Sequence, residues 1–188
     1  PGLGTWFGVA PQHAYEQYYN LISNPVLWFL QHSLWDKLER PHLWRDIHHG
    51  WDNGYLPVNR QFARAVLAEL ETGDTAPYVM FHDYHLYLAP FYVREWAPQA
   101  ILSHFVHVPW PPPDAWQQLP WPMADAICRG LLSNDVVSFQ TLQSAHNFLL
   151  TCHEFISGAQ VDFDATSIRL NGHLTRVRYH PISVDAKE

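Results

Sequence analysis

Residues 78–96 read YVMFHDYHLYLAPFYVREW, and their pattern is the clearest indication of the fold class. Its first four residues form a short apolar run, which is typical of a buried strand. A polar turn follows at His82 and Asp83, and from Tyr84 onward the pattern becomes helical. The order of strand, polar turn and helix is the unit from which a parallel sheet wrapped by helices is built.

The same order is repeated further along the chain. Residues 101–108 (ILSHFVHV) predict a second strand, which must stop at the proline-rich stretch 109–113 because proline has no amide hydrogen to donate to a ladder. Residues 136–139 (VVSF) predict a third strand, and a helix is predicted over residues 141–154. Strands separated by helices favour parallel pairing.

The last part of the chain carries a hairpin signal. Residues 167–183 alternate around Asn171 and Gly172, a dipeptide that favours a tight β-turn. No internal repeat or low-complexity linker divides the chain. We therefore expect one α/β domain over residues 1–188, with a parallel sheet and helices on both of its faces.

The first half of the chain has a mostly helical pattern. Residues 15–35 predict two helices separated at Asn24 and Pro25, because proline is tolerated in the first turn of a helix but not in its interior. The His-rich polar stretch 40–52 predicts a loop. Further helices are predicted at residues 55–70, at residues 115–119 with Asp114 as the cap, and at residues 122–132.

Composition limits the classes of function. The chain has 188 residues, 47% of them hydrophobic and 15% charged, so it can bury a sizeable core. Its net charge of −7 and thinly spread 11 basic residues exclude the basic stripe that nucleic-acid binding requires. No apolar run approaches the roughly 20 residues of a membrane-spanning helix. The nine tryptophans can stack on sugar rings, although core filling is their commoner use.

The two cysteines indicate a compartment rather than a site. Cys128 and Cys152 lie in apolar surroundings and lack the spacing of a metal centre. No signal peptide is recognised in the sequence. Together these features indicate a reducing environment, and we expect a cytoplasmic location.

The histidines raise the question of a metal site. Close pairs occur at His48 with His49, His82 with His85, and His104 with His107. A metal-binding pair on a helix needs i, i+4 spacing with an acidic partner, which none of these pairs has. The motifs Gly-x-Gly-x-x-Gly, P-loop and Gly-x-Ser-x-Gly are also lacking. We expect neither a metal, nor a cofactor, nor a serine nucleophile.

Two polar residues stand where predicted strands end. Asp83 follows the first strand, and His107 lies at the end of the second. Because ligands collect beyond the carboxyl ends of parallel strands, both are candidate binding residues. Asp83 can accept hydrogen bonds from sugar hydroxyls or cap a helix. His107 can hydrogen-bond a substrate hydroxyl or be a core histidine.

Several segments, taken in order, resemble one family. The sharpest are residues 82–86 (HDYHL) and residues 105–111 (FVHVPWP), which resemble its H-D-Y-H-L and F-x-L-H-I-P-F-P motifs. Other similar segments are residues 4–8 (GTWFG), 15–20 (YEQYYN), 23–28 (SNPVLW), 51–59 (WDNGYLPVN) and 135–141 (DVVSFQT). The family is that of the trehalose-6-phosphate synthases, which are retaining glycosyltransferases.

The resemblance implies a GT-B fold, in which two Rossmann-like domains face each other across a cleft. This chain would be the N-terminal, acceptor-side domain and a fragment lacking the C-terminal donor domain, inactive by itself. The implied reaction moves a glucosyl unit from UDP-glucose to glucose-6-phosphate and gives trehalose-6-phosphate. The resemblance also leaves a homo-oligomer open.

The resemblance further assigns roles to single residues. Asp83, Trp51 and Trp6 would contact the acceptor sugar. His107 would hydrogen-bond the glucosyl unit that is transferred. No protein nucleophile is needed, because the acceptor hydroxyl is thought to approach the face from which UDP leaves, so the protein's task is positioning and charge stabilisation.

One departure from the family pattern bears on the acceptor. The family has F-H-Y-R, whose tyrosine helps to hold the acceptor phosphate, where residues 31–34 here read QHSL. Ser33 therefore replaces a phenol at a predicted substrate-binding position. Acceptors such as glycerol phosphate, a cyclitol phosphate or a modified hexose phosphate stay open, as in glucosylglycerol-phosphate or validoxylamine-phosphate synthases. A catalytically silent sugar-phosphate-binding module is the alternative from a different class.

Overall fold

A computed structural model describes residues 10–37, 43–71 and 77–183. It forms a six-stranded sheet in the order β1-β2-β3-β6-β5-β4, with helices on both sides. The strands are β1 (Tyr78–His82), β2 (Ile101–Val106), β3 (Val136–Phe139), β4 (Gln160–Asp162), β5 (Ser167–Leu170) and β6 (His173–Tyr179). The α-helices are α1 (Gln12–Gln17), α2 (Phe29–Gln31), α3 (Leu43–Gly50), α4 (Leu56–Leu70), α5 (Ala89–Trp96), α6 (Pro113–Trp116), α7 (Trp121–Leu131) and α8 (Leu142–Phe155). The predicted α/β fold is confirmed.

The sheet is mixed, whereas the prediction was a parallel one. Strands β1, β2, β3 and β6 are parallel to one another, but β5 pairs antiparallel with β6 and β4 with β5. The predicted hairpin is the cause: Asn171 and Gly172 have φ angles of 51° and 84°, the left-handed pair that a two-residue turn requires. Such a turn can join only antiparallel strands. The hairpin prediction is therefore confirmed, and it explains why β5 runs antiparallel beside the predicted parallel strands.

The first helical segment is not broken at Pro25, so the prediction of two separate helices is wrong. A π-helical stretch, Tyr18–Trp28, runs from α1 into α2 with Pro25 inside it. Proline disrupts an α-helix because it lacks an amide hydrogen and clashes with the carbonyl four residues back. The wider i to i+5 turns of a π-helix relieve that clash and let the chain continue.

The loop predicted at residues 40–52 is also wrong, because helix α3 and a second π-helical stretch, Trp51–Tyr55, occupy most of it. Glycines here permit close packing instead of ending helices. A Cβ at Gly54 would lie 2.5 Å from the backbone nitrogen of Tyr18, and one at Gly50 would lie 2.6 Å from Leu21 Cδ2. Gly54 lets this helical segment lie directly against the backbone of the first one, whereas the neighbours of Gly50 are side-chain atoms.

The remaining helix predictions differ in their caps. Helices α4, α7 and α8 lie where the sequence predicted them. Thr141 caps α8, since its hydroxyl oxygen accepts a hydrogen bond from the Ser144 amide at 3.1 Å. Asp114 is not a cap: α6 begins after Pro112, which makes no side-chain cap bond. Proline at the start of this short helix fixes the backbone angle and makes a side-chain cap unnecessary.

The core lies on both faces of the sheet. On one face Trp110 stacks on Trp116 at 4.3 Å between ring centroids, and its indole nitrogen donates to Thr151 Oγ1 at 3.1 Å. On the other face a smaller cluster gathers around Phe81 and Val93. Both of these tryptophans are almost fully buried, so they fill the core and do not present their faces to a sugar.

One buried amide fixes the segment that follows β1. Asn59 on α4 is fully buried, and its Nδ2 donates to the carbonyls of Tyr55 at 3.0 Å and His85 at 3.1 Å. Its Oδ1 accepts from the amides of Leu88 and Ala89, both at 3.1 Å. All of its hydrogen-bonding capacity is therefore used, and it holds the chain between β1 and α5 in place.

Two negative findings hold for the described residues. None of the helices in residues 10–37, 43–71 and 77–183 is long and apolar enough to cross a membrane. In the same ranges, no group of three or more His, Cys, Asp or Glu side chains could hold a metal ion.

Candidate functional site

Asp83 and His107 lie side by side at the carboxyl ends of β1 and β2. These strands are parallel neighbours, with His82 paired to Phe105. The amide of Asp83 donates to the Phe105 carbonyl at 2.8 Å, and the amide of His107 donates to Asp83 Oδ1 at 3.3 Å. The structure thus brings together the two residues that the sequence placed at strand ends.

The backbone of Asp83 is in a conformation that few residues adopt. Its φ of 63° and ψ of 179° fall in a region populated almost only by glycine, at a cost of about 1–3 kcal/mol. Asp83 precedes the short 3₁₀ turn Tyr84–Leu86 but makes no side-chain cap bond, so the alternative that it is a helix cap is wrong. Strain of this kind, held in place by its surroundings, is frequent at binding sites.

His107 is exposed, which contradicts the alternative of a core histidine. Its Nε2 lies 3.0 Å from Nδ1 of His82, and the two rings stack with centroids 5.3 Å apart. One of these nitrogens must donate and the other accept, so the tautomer of one imidazole sets that of the other. The sequence analysis missed His82 as a partner of His107, because only the register of β1 against β2 shows that they meet.

His104 is the second residue that the sequence analysis missed. It lies on β2 with 1% of its surface exposed, and its Nε2 is 3.0 Å from the carbonyl oxygen of Asp83. A carbonyl can only accept, so Nε2 carries the proton and donates. Burial lowers the pKa of His104 to about 3, and the ring is therefore neutral at ordinary pH.

The neutral, buried His104 should make the protein acid-sensitive. Its pKa is about 3 in the folded protein but 6.5 in its ordinary state, so between these values the unfolded chain binds a proton that the folded one does not. The contribution of the neutral His104 to the free energy of unfolding is therefore fully present above pH 6.5. It falls as the pH drops, by up to about 1.4 kcal/mol per pH unit. Urea unfolding of the native protein and of His104→Gln at pH 7 and pH 5 measures this.

We expect the native protein to lose about 2 kcal/mol more than the His104→Gln variant between the two pH values. Other titrating groups, such as the partly buried His85, are common to both proteins and cancel in the comparison. An equal loss in both would mean that His104 is protonated as readily in the folded state as in the unfolded one.

Trp51 is mostly buried, with 6% of its surface exposed. Its ring stacks on Tyr55 at 4.9 Å, and the Tyr55 hydroxyl donates to the Tyr84 carbonyl, one residue beyond Asp83. Burial raises the pKa of Tyr84 to about 12, so this phenol stays protonated and donates to Asn24 Oδ1 at 3.0 Å. Trp51 is connected to Asp83 through this aromatic layer.

Ser33 takes part in ending the first helical segment. It is exposed and has a left-handed φ of 56°. Its amide donates to the Leu30 carbonyl at 3.0 Å, and the Leu34 amide donates to Phe29 at 2.8 Å, the pattern of a Schellman motif. No hydrogen bond joins Ser33 to Asp83 or His107 in the described part of the chain. Trp6, the remaining predicted site residue, lies outside the described residues.

The arrangement is suited to holding hydroxyl groups. A carboxylate accepts hydrogen bonds from hydroxyls, and an exposed imidazole can donate or accept one. Within residues 10–37, 43–71 and 77–183, neither Asp83 nor His107 is hydrogen-bonded to a serine or cysteine as a nucleophile and its base would be. The chemistry that fits is recognition and positioning of a polyol.

Comparison with known proteins gives consistent matches. The sequence profile of Glycosyltransferase family 20 matches residues 5–188. A trehalose-6-phosphate synthase of Mycobacterium avium is 35% identical over 177 residues, which are 90% of this chain and 33% of that protein. A validamine 7-phosphate valienyltransferase of Streptomyces hygroscopicus subsp. jinggangensis is 30% identical over 174 residues, or 89% of this chain and 34% of that one.

The fold is matched as well. A solved structure from E. coli with UDP-2-fluoro glucose bound superposes with a TM-score of 0.76 at 26% identity, over 94% of this chain and 36% of the other. The predicted Rossmann-like half of a GT-B fold is therefore confirmed. The chain spans about a third of the length of the curated relatives it matches.

Proposed function

Because this chain belongs to Glycosyltransferase family 20, we propose that it is the acceptor-binding half of a retaining glycosyltransferase that moves a glucosyl unit from UDP-glucose to glucose-6-phosphate. The product would be trehalose-6-phosphate. We further propose that most of the nucleotide sugar is held by a second domain outside this sequence, and that no metal or cofactor takes part.

The observation that carries the proposal is the meeting of Asp83 and His107 at neighbouring strand ends. The amide of His107 donates to Asp83 Oδ1 at 3.3 Å, so the Asp83 carboxylate lies against the backbone of the residue that carries the exposed imidazole. In the proposed roles, the Asp83 carboxylate accepts hydrogen bonds from acceptor hydroxyls and His107 binds the transferred glucosyl unit. Trp51 and Trp6 would complete the acceptor side, with Ser33 near the acceptor phosphate.

These residues perform the reaction by positioning. In a retaining transfer of this kind the acceptor hydroxyl attacks the anomeric carbon on the side from which UDP departs, and the leaving phosphate takes the hydroxyl proton. The protein must hold the two sugars in reacting geometry and exclude water, which lowers the barrier without a covalent intermediate. Asp83 is suited to this because its backbone is fixed on both sides by hydrogen bonds.

A different phosphorylated acceptor is the second candidate. The similarity to the valienyltransferase, whose name identifies validamine 7-phosphate as its substrate, supports a cyclitol phosphate. Ser33 supports it too, because a short hydroxyl reaches less far than the phenol of the related motif. A phosphorylated glycerol or modified hexose would fit on the same grounds.

The location proposed for this activity is the cytoplasm. Cys128 and Cys152 are buried free thiols, as expected for a protein of a reducing compartment. Burial raises the pKa of Cys152 well above its ordinary value, so its thiol stays protonated and unreactive.

An acceptor screen with the full-length gene product tests the proposal. UDP release and product formation would be measured with UDP-glucose and other nucleotide sugars against glucose-6-phosphate, glycerol phosphate, cyclitol phosphates and unphosphorylated glucose. The highest kcat/KM with glucose-6-phosphate supports the first candidate, and the highest value with another phosphorylated acceptor supports the second. Binding of sugar phosphates with no transfer to any acceptor would instead identify a silent binding module.

A further inference from the structure

The side chain of His104 holds the carbonyl group of Asp83 from inside the sheet. Its Nε2–H donates to that carbonyl oxygen at 3.0 Å. The centroid of its ring lies 6.1 Å from that of Phe81 and 5.5 Å from that of Tyr87. The sequence singled out His104 only as half of a metal pair. The proposed transfer reaction leaves the residue without a role.

The carbonyl of Asp83 depends on this donor. Its other partner, the amide of Leu86, lies at 3.3 Å, whereas the amide side of Asp83 is secured by the Phe105 carbonyl at 2.8 Å. Without the imidazole, the Asp83 carbonyl would keep the long bond from the Leu86 amide as its one remaining hydrogen bond among the described residues. A residue at φ 63° and ψ 179° relaxes toward an ordinary conformation unless its surroundings prevent it.

The direction of the carboxylate follows from this backbone conformation. Asp83 Oδ1 reaches the amide of His107 at 3.3 Å, across the ends of two strands. Because the Asp83 amide is held by Phe105, relaxation of the strained φ would rotate both the carbonyl and the side chain of Asp83 about the N–Cα bond. That rotation would move the carbonyl away from His104 and the carboxylate away from the amide of His107. The imidazole thus acts on the carboxylate through the main chain.

Filling space does not account for a histidine at this position. The side chain is 1% exposed and its Nδ1 has no hydrogen-bond partner among the described residues. An apolar side chain would fill the same space without burying an unpaired nitrogen, which is costly. The compensating feature is the bond from Nε2–H to Asp83, and burial keeps the ring in the neutral state that makes this bond.

We propose that His104 is a positioning residue, which holds the carboxylate of Asp83 toward the acceptor by fixing the strained peptide at Asp83. The inference rests on the proposed function, because it assumes that Asp83 binds the acceptor. His104 itself touches no substrate. It sets the geometry of a residue that does.

The test compares two variants of the full-length gene product. His104→Phe keeps the ring volume and removes the donor, and His104→Gln places an amide N–H near the position of Nε2. We expect His104→Phe to raise the KM for the acceptor by about three- to tenfold, the value of one hydrogen bond, with the KM for the nucleotide sugar unchanged. His104→Gln should restore most of the acceptor KM.

A purely structural histidine predicts a different pattern. It would lower the Tm in both variants and leave the acceptor KM of the folded fraction at the native value, and that result would overturn the proposal. Asp83→Ala distinguishes a failure of acceptor binding by Asp83 from a failure of positioning by His104. If it leaves the acceptor KM unchanged, the proposed function fails; if it raises the KM while His104→Phe does not, only the role of His104 fails.

A measurement on the native protein covers the case in which His104→Phe does not fold. Nitrogen-15 NMR of the labelled imidazole identifies which ring nitrogen carries the proton. We expect a neutral ring protonated at Nε2, unchanged when the acceptor binds. A proton on Nδ1 would overturn the proposal, because Nε2 could then not donate to the Asp83 carbonyl.

Discussion

Replacing Asp83 with alanine is expected to lower kcat/KM for the acceptor by about 10- to 100-fold, which is the value of one or two hydrogen bonds to a charged group. The reason is the position of its carboxylate, which lies at the end of β1 beside His107. Steady-state kinetics with the full-length gene product and varied acceptor measures the effect. Asp164→Ala is the matched control, because it also removes a carboxylate, but one that is exposed and distant in sequence from Asp83.

Asp83→Gly distinguishes a binding role from a structural one. Glycine adopts φ 63° and ψ 179° without strain, so this variant should be more stable than Asp83→Ala by about 1–3 kcal/mol. Its kcat/KM should nevertheless be as low as that of Asp83→Ala, since both lack the carboxylate. If Asp83→Gly were stable and fully active, the carboxylate would have no part in the reaction.

The features that the sequence predicted well are those with a local cause. The end of β2 was predicted from the prolines after Val108, and the β5–β6 hairpin from Asn171 and Gly172, whose turn depends on two residues alone. The position of Asp83 followed from the general rule that parallel strands end at the same edge. These inferences needed no knowledge of distant contacts.

The features that were missed depend on contacts between distant segments. A Cβ on Gly54 would lie 2.5 Å from the Tyr18 backbone nitrogen, so this glycine lets two helical segments approach closely, and only the packed structure reveals that contact. Similarly, the bond of His104 to Asp83 depends on the register that sets Phe81 opposite His104. Local sequence gives the residue types at a site but not which of them touch.

A second large effect is expected where α7 meets the segment beyond Asp83. A Cβ on Gly130 would lie 2.1 Å from the Tyr87 carbonyl oxygen, well inside contact distance. That carbonyl cannot retreat, because Asn59 holds the next two amides, Leu88 and Ala89. Gly130→Ala should therefore cost about 2–4 kcal/mol, even though alanine favours a helix by about 1 kcal/mol over glycine.

Thermal unfolding of the full-length gene product tests this, with Gly50→Ala as the matched control. The nearest atoms to an added methyl at Gly50 are side-chain carbons of Leu21 and Ile22 and not backbone atoms, so the Tm of Gly50→Ala should stay within about 3 °C of the native value, against a fall of about 6–12 °C for Gly130→Ala. The segment displaced by Gly130→Ala leads directly from Asp83, so acceptor KM should rise as well. Equal Tm values for the two alanine variants would show that the Tyr87 peptide moves freely. The position of Asp83 would then have to be fixed by β1 and β2 alone.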